Sequence, residues 1–138
     1  MRWKMKSRIQ NAIALLPSSL SYSLYYWVQS HFGALRRVDP LRSFRAGVTI
    51  WKVLREAARS PAGGTFLEIG TGWRISMPLA FWLMGARKVA TVDLNPYLRE
   101  ELVRDDIEYV RAHRDEIESL FEGYLQRDRL EELLARTA

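Results

Sequence analysis

Residues Thr65-Phe66-Leu67-Glu68-Ile69-Gly70-Thr71-Gly72, read with a second apolar run that ends at Asp93, constrain this chain more than any other stretch. Thr65–Ile69 is a short run with bulky apolar residues bounded by glycines, the pattern of a short strand. Gly70 and Gly72 then allow a sharp turn and a close backbone approach that other residues resist. Pro78 suits the first turn of a helix, where its missing N–H costs nothing. Leu79 to Met84 continue that helix, and Gly85 stands where a helix end takes a left-handed residue. Lys88–Val92 reads as a second strand. Short strand–helix–strand crossovers are nearly always right-handed and parallel, so this segment predicts an α/β unit.

The rest of the chain is helical in pattern. Residues 3–16 predict an amphipathic helix that stops before Pro17. Ser18, Ser19 and Ser21 are N-cap candidates for a second helix, from Leu20 to Phe32, with Gly33 as its stop. That helix carries Tyr22, Tyr25, Tyr26 and Trp27. Such a cluster suits a membrane-interface belt or a base-stacking surface, but aromatics at helical spacing favour a core face. After the Asp39-Pro40 turn, a third helix is predicted from Leu41 to Arg59, with Phe44, Val48, Trp51, Val53 and Leu54 near the helical period. Ser60-Pro61-Ala62-Gly63-Gly64 makes the hinge into the first strand. From Pro96 the pattern stays helical almost to the end. Leu98, Leu102, Ile107 and Val110 mark one apolar face; Ile117, Leu120, Phe121 and Tyr124 mark another; Leu130, Leu133 and Leu134 close the series. Asp105, Asp106, Asp115 and Glu116 read as solvated charge on these helices. The expected division is a helical N-terminal cap over residues 1–60 and the α/β unit over 61–138.

The chain has 138 residues, near the common size of one domain, and 48% of them are hydrophobic and 27% charged, which favours a packed core over disorder. There is no cysteine, so disulfides, thiolate metal sites and cysteine nucleophiles are all excluded. That composition suits a reducing, cytoplasmic compartment. His31 and His113 stand alone without metal-ligand spacing, and no metal site is expected. The net charge of +5 is unevenly spread. Residues 1–60 carry 11 Lys/Arg against Asp39 and Glu56, while the other 78 residues carry 10 Lys/Arg against 14 Asp/Glu. A basic arm on a mildly acidic body could meet an anionic membrane, a nucleic acid or the body itself. No apolar run approaches the roughly 18–20 residues that span a bilayer. The basic start and Ala12-Ile13-Ala14-Leu15-Leu16 suggest a signal peptide only superficially. The apolar run is short and no small-residue cleavage site follows, so a surface helix is the expectation.

The glycine turn has the makings of a nucleoside site. The helix after it aims N–H groups and the positive end of its dipole at the turn. Asp93 ends the second strand about twenty residues on, where a carboxylate can accept hydrogen bonds from both hydroxyls of a ribose. Glu68 bears on the kind of ligand. A carboxylate just before the first glycine is unhelpful to a pyrophosphate but suits a ligand bearing an ammonium. The third glycine of the dinucleotide fingerprint is also missing, with Arg74 and Ile75 in its neighbourhood.

At these residues the chain resembles the class I S-adenosylmethionine-dependent methyltransferases. Their acid-x-Gly-x-Gly motif matches Glu68-Ile69-Gly70-Thr71-Gly72, and their acid at the end of the second strand matches Asp93 within Val92-Asp93-Leu94-Asn95-Pro96. The resemblance covers residues 65–98 and extends more weakly over 41–64. It implies a Rossmann-like α/β fold, here a partial parallel sheet with a helical N-terminal cap and a helical C-terminal region. It further implies that Gly70, Thr71 and Gly72 line the methionine part of S-adenosylmethionine, that Glu68 helps fix its ammonium, that Asp93 binds the ribose and that Leu94 lies against the adenine. The chain departs from the family at Trp73-Arg74, where a third glycine is common, and in having two recognisable strands of a larger sheet. The catalytic base and substrate site normally come from later strands, so no catalytic residue is identified.

The expected function is methyl transfer to an unidentified acceptor, by the chain itself or by an enzyme of which it is the cofactor-binding N-terminal portion. The alternative is a non-catalytic methyltransferase-like fragment that binds or assembles, its open strand edges paired by a second copy or a completing chain. NAD binding is a third reading, disfavoured by Glu68 and the missing glycine. A fourth is peripheral contact of the basic N-terminal region with a membrane or RNA.

Overall fold

The computed structural model describes residues 7, 8, 11, 13, 15, 17–37, 39–57 and 59–135. They divide into two compact units, Met1–Val38 and Asp39–Ala138. The helix expected over residues 3–16 falls largely outside the described residues.

In the first unit, α1 spans Ser18–Phe32 and a 3-10 turn follows at Ala34–Arg36. The helix starts directly after Pro17, without a side-chain cap. The Pro17 carbonyl accepts the N–H groups of Leu20 and Ser21 at 3.0 and 2.9 Å, so the serines enter the helix instead of capping it. Gly33 ends α1 as expected, though in extended backbone at φ −113°. Its missing side chain serves packing, since a Cβ there would fall 2.1 Å from Gln29 Oε1. The aromatic cluster is not a single core face. Tyr22, Tyr25 and Tyr26 are half-buried, but Trp27 is exposed.

The second unit is α/β, with helices around a two-stranded parallel sheet. Its elements are α2 (Leu41–Glu56), β1 (Thr65–Ile69), α3 (Ser76–Leu83), β2 (Lys88–Val92), α4 (Glu100–Ala112), α5 (Arg114–Phe121) and α6 (Arg127–Ala135), with a 3-10 turn at Glu122–Tyr124. The helix α2, grouped with residues 1–60 on sequence, belongs to this unit. Its face of Phe44, Gly47, Val48 and Trp51 is buried. Gly47 lets α2 press against α3, because a Cβ there would meet the Ala80 Cβ at 2.9 Å.

The α2 stripe joins Leu79, Phe81 and Leu83 of α3, Val110 of α4, Phe121 of α5 and Leu130 of α6 in one core. Full burial of such side chains contributes about 1.5–3 kcal/mol each. The continuous helical pattern after Pro96 resolves into three helices. The chain bends at His113 (φ −122°, ψ 36°) and again at Glu122, which takes φ +52°. These bends turn three short apolar faces onto one core, which a single straight helix could not do.

The strands pair in register from Thr65↔Lys88 to Ile69↔Val92. Alternation sends Phe66 and Glu68 to one face and Leu67 and Ile69 to the other. Phe66 stacks on Phe81 at 4.6 Å and on Trp51 at 5.8 Å, which seats the inner face on α2 and α3. The outer face is uncovered, with Leu67 63%, Ile69 81% and Val92 55% exposed.

Candidate functional site

The two strands run parallel, so their carboxyl ends lie side by side, and in open α/β sheets ligands bind beyond those ends. Gly70 continues the ladder by donating its N–H to Val92 O at 2.7 Å. It then turns the chain at φ +85°, and Gly72 does so again at φ +69°. Neither glycine would bring a Cβ within 4 Å of another atom. Their backbone therefore faces open space in which a ligand can come close.

Asp93 closes this end of the sheet. Its Oδ2 accepts the Gly72 N–H at 2.7 Å, and its Oδ1 accepts the Asn95 N–H at 3.0 Å. The second bond is an Asx turn, in which the side chain mimics a backbone turn. Together the bonds, that from Asn95 first, hold the Asp93 carboxyl below its ordinary value of 3.8. Asp93 thus has a structural task that its position in the sequence did not reveal: it latches the glycine loop to the end of β2. Each carboxylate oxygen still keeps a lone pair for a ligand. The loops are joined a second time by Trp73, whose ring stacks on Tyr97 at 4.5 Å.

A cleft of ≈ 390 Å³ opens here, lined by Thr71, Gly72, Thr91, Asp93, Leu94, Asn95, Pro96 and Leu98. That volume is in the range of small-molecule sites. Leu94 is 98% exposed on its rim, an apolar side chain open to solvent. The expected residues Thr71, Gly72, Asp93 and Leu94 are brought together on the wall, whereas Gly70 and Glu68 are not part of it. Glu68 lies across from Thr91, which does line the cleft. Burial pushes the Glu68 carboxyl above its ordinary value of 4.5, the nearby Thr71 hydroxyl opposes this, and the Asp93 charge adds to it. The Thr71 hydroxyl is within reach of the Glu68 carboxyl, and Glu68 Oε2 and Thr71 Oγ1 are both buried without another partner among the described residues. The Thr71 hydroxyl can donate to the Glu68 carboxylate, and the pair keeps further acceptor capacity at the end of the sheet.

Arg74 and Asp106 explain how the bulky loop is accommodated. Arg74 turns away from the cleft, and its Nη1 donates to Asp106 Oδ1 at 2.7 Å and to Leu102 O at 3.2 Å. Its Nη2 reaches Asp105 Oδ2 at 3.5 Å. Asp106 is fully buried, which corrects its reading as a solvated charge. It also accepts the Ser76 hydroxyl at 2.7 Å, so a carboxylate already stands against the first residue of α3. Burial raises the Asp106 carboxyl above its ordinary value despite the opposing pull of Ser76 and Arg74. A signal for this burial was present. Leu102, Asp106 and Val110 recur every fourth residue, so Asp106 stands in the apolar stripe of α4.

Thr91, Asn95, Pro96 and Leu98 line the cleft without having been expected as site residues. Their side chains, neutral and common in loops and strands, do not by themselves announce a site. His31 and His113 are exposed, and each places Nδ1 near the carbonyl four residues earlier, at 2.9 and 3.0 Å. Among the described residues no cluster of His, Asp or Glu could hold a metal ion. No helix among them is long and apolar enough to cross a membrane. Compared with protein-family models, curated proteins and solved structures, the chain finds no match.

Proposed function

We propose that the second unit is the cofactor-binding portion of a Rossmann-like, S-adenosylmethionine-dependent methyltransferase that acts on an unidentified acceptor. The observation that carries this reading is the open glycine loop latched to Asp93 at the carboxyl end of the sheet, with the buried Glu68 and Thr71 oxygens beside it. The residues fit the cofactor. An ammonium would add a charged donor to Glu68. The open backbone at Gly70 and Gly72 would admit the methionine part. The remaining lone pairs of Asp93 would accept the ribose hydroxyls, and Leu94 would give the adenine an apolar surface.

When bound, S-adenosylmethionine supplies a methyl group on a sulfonium, already activated for displacement. The residues present have only to position and shield, which is a large part of catalysis when the leaving group is built in. A dinucleotide fits less well. Arg74 is engaged with Asp106 and turned from the cleft, and the start of α3 already faces a carboxylate.

A second reading rests on the uncovered outer face of the sheet. Purely parallel sheets are normally covered on both faces, and Leu67, Ile69 and Val92 leave this one bare. A unit that binds or assembles through that face would be consistent with it.

Calorimetric titration with S-adenosylhomocysteine tests the first reading, with NADH as control. Saturable binding of S-adenosylhomocysteine but not NADH is expected, and Asp93→Ala should weaken it roughly tenfold or more. Because that substitution also frees the Gly72 loop, Leu94→Asp serves as a second variant. The Leu94 side chain is almost fully exposed, so its change should lower affinity at nearly unchanged melting temperature. No binding by the folded chain, or unchanged affinity in both variants, would remove the proposal and leave the assembly reading.

A further inference from the structure

Helix α1 is turned the wrong way for a helix on a water-facing surface. Leu20, Leu24, Trp27 and His31 follow at spacings of four, three and four, which places them on one face. That face is open: Leu20 is 59%, Leu24 40% and Trp27 50% exposed. On the opposite face Gln29 is buried and Tyr22 and Tyr25 are half-buried. The polar side of α1 is thus turned inward, and its aliphatic side faces solvent. At the end of the stripe, Trp27 stacks on His31 at 4.8 Å and meets Phe32, itself 64% exposed, edge-on at 5.8 Å. A single exposed leucine needs no explanation, but an ordered stripe does.

Charge says what the stripe meets. Through Val38 the chain carries Arg2, Lys4, Lys6, Arg8, Arg36 and Arg37 and no Asp or Glu at all. The first unit is therefore +6, more than the whole net charge of +5, and the second unit is −1. Arg8, Arg36 and Arg37 are exposed.

We infer that the first unit docks on an anionic lipid bilayer. Leu20, Leu24, Trp27 and Phe32 enter the boundary between headgroups and acyl chains, while the basic residues meet the lipid phosphates. An apolar helix face flanked by cations is what such an interface selects. Tryptophan also prefers the headgroup level, where its ring and its N–H find different surroundings. The helix lies on the bilayer and does not cross it, since 15 residues span only about 22 Å. Nucleic acid is a poorer fit, because leucines at the centre of the stripe offer bases neither stacking nor hydrogen bonds.

Co-sedimentation of the full chain with vesicles tests this, using phosphatidylcholine alone and phosphatidylcholine with phosphatidylglycerol. Binding is expected to the anionic vesicles, with little to the neutral ones, and should weaken with salt. The triple variant Leu20→Ser, Leu24→Ser, Trp27→Ser should reduce partition at least tenfold. Arg36→Gln with Arg37→Gln should reduce it by roughly an order of magnitude. All the changed side chains are exposed, and circular dichroism checks that the fold is kept. Three results would overturn the inference. One is no binding to anionic vesicles; another is binding that survives the triple variant. The third is a stripe that instead joins two copies of the chain, or holds RNA, while vesicles are ignored.

Discussion

The strand–helix–strand unit uses glycine at both ends, to opposite effect. At the amino ends of the strands the glycine segments are tied together by backbone hydrogen bonds. Gly63 donates to Gly85 O and Arg87 to Gly64 O, both at 2.8 Å. Gly85, at φ +102°, ends α3 with the paired bonds of a Schellman motif, from Gly85 to Trp82 and from Ala86 to Phe81. Arg129 reaches in from α6 and donates to the carbonyls of both Trp82 and Ala86 at 2.6 Å, with its guanidinium over the Trp82 ring. At the carboxyl ends, Gly70 and Gly72 face open space, and Glu68 keeps a buried carboxyl with the Thr71 hydroxyl beside it. Similar local chemistry makes a seal at one end and an open loop at the other. Unfavourable features tolerated at one end and absent from the other point to where a ligand belongs.

The largest expected effect comes from behind the open end. Asp106→Ala would leave Arg74, mostly buried, without its main partner, and should lower unfolding stability by about 3–5 kcal/mol in denaturant titration. A loss under about 1 kcal/mol would mean that Arg74 finds another partner and that the loop is not held by α4. Next, Arg129→Ala removes two bonds to carbonyls at the end of α3. A loss of about 2–3 kcal/mol is expected, with S-adenosylhomocysteine affinity unchanged. If affinity fell in step with stability, the two ends would be one cooperative structure, and the contrast drawn above would fail.

The smallest effect has the opposite sign. Glu68 has a raised carboxyl value in the folded chain. Its contribution to stability is therefore complete below the unfolded value of 4.5 and is lost as pH rises through the folded value. At pH 7 the ionised group is a burden, so Glu68→Gln should raise the melting temperature slightly and flatten its dependence on pH above 4.5. Asp93 runs the other way. Its lowered value adds stability above 3.8 that disappears as pH falls through the folded value. The same Glu68→Gln protein should bind S-adenosylhomocysteine less well. Gain in stability with loss of affinity is the signature of a residue kept for its ligand. A melting temperature that fell at pH 7 would show Glu68 to be structural.

Much of this was legible along the chain. The bounds of β1 and β2, the left-handed Gly70, Gly72 and Gly85, and the α2 stripe of Phe44, Val48 and Trp51 depend on residues near one another. Dihedral freedom and hydrophobic period act at that range. The capping serines failed because Pro17 took the first position, a local competition that spacing alone does not decide. The breaks at His113 and Glu122 were also hidden, because apolar residues on three short helices look periodic before a core tells them where to turn.

What the sequence determined by itself was the strand–helix–strand unit, the α2 stripe and a glycine loop with an acid at the end of each neighbouring strand. What only tertiary structure decided was who meets whom. Arg74 finds Asp106 across 32 positions, Arg129 finds Trp82 across 47, and Asp93 takes the Gly72 amide across 21. The reason is physical. A turn or a helix is set by neighbours a few residues away, whereas a charged side chain takes its partner from whatever packing brings within about 3 Å. Burial alone then makes Asp106 an anchor, Asp105 beside it a half-exposed neighbour, and Glu68 a carboxyl raised above its ordinary value.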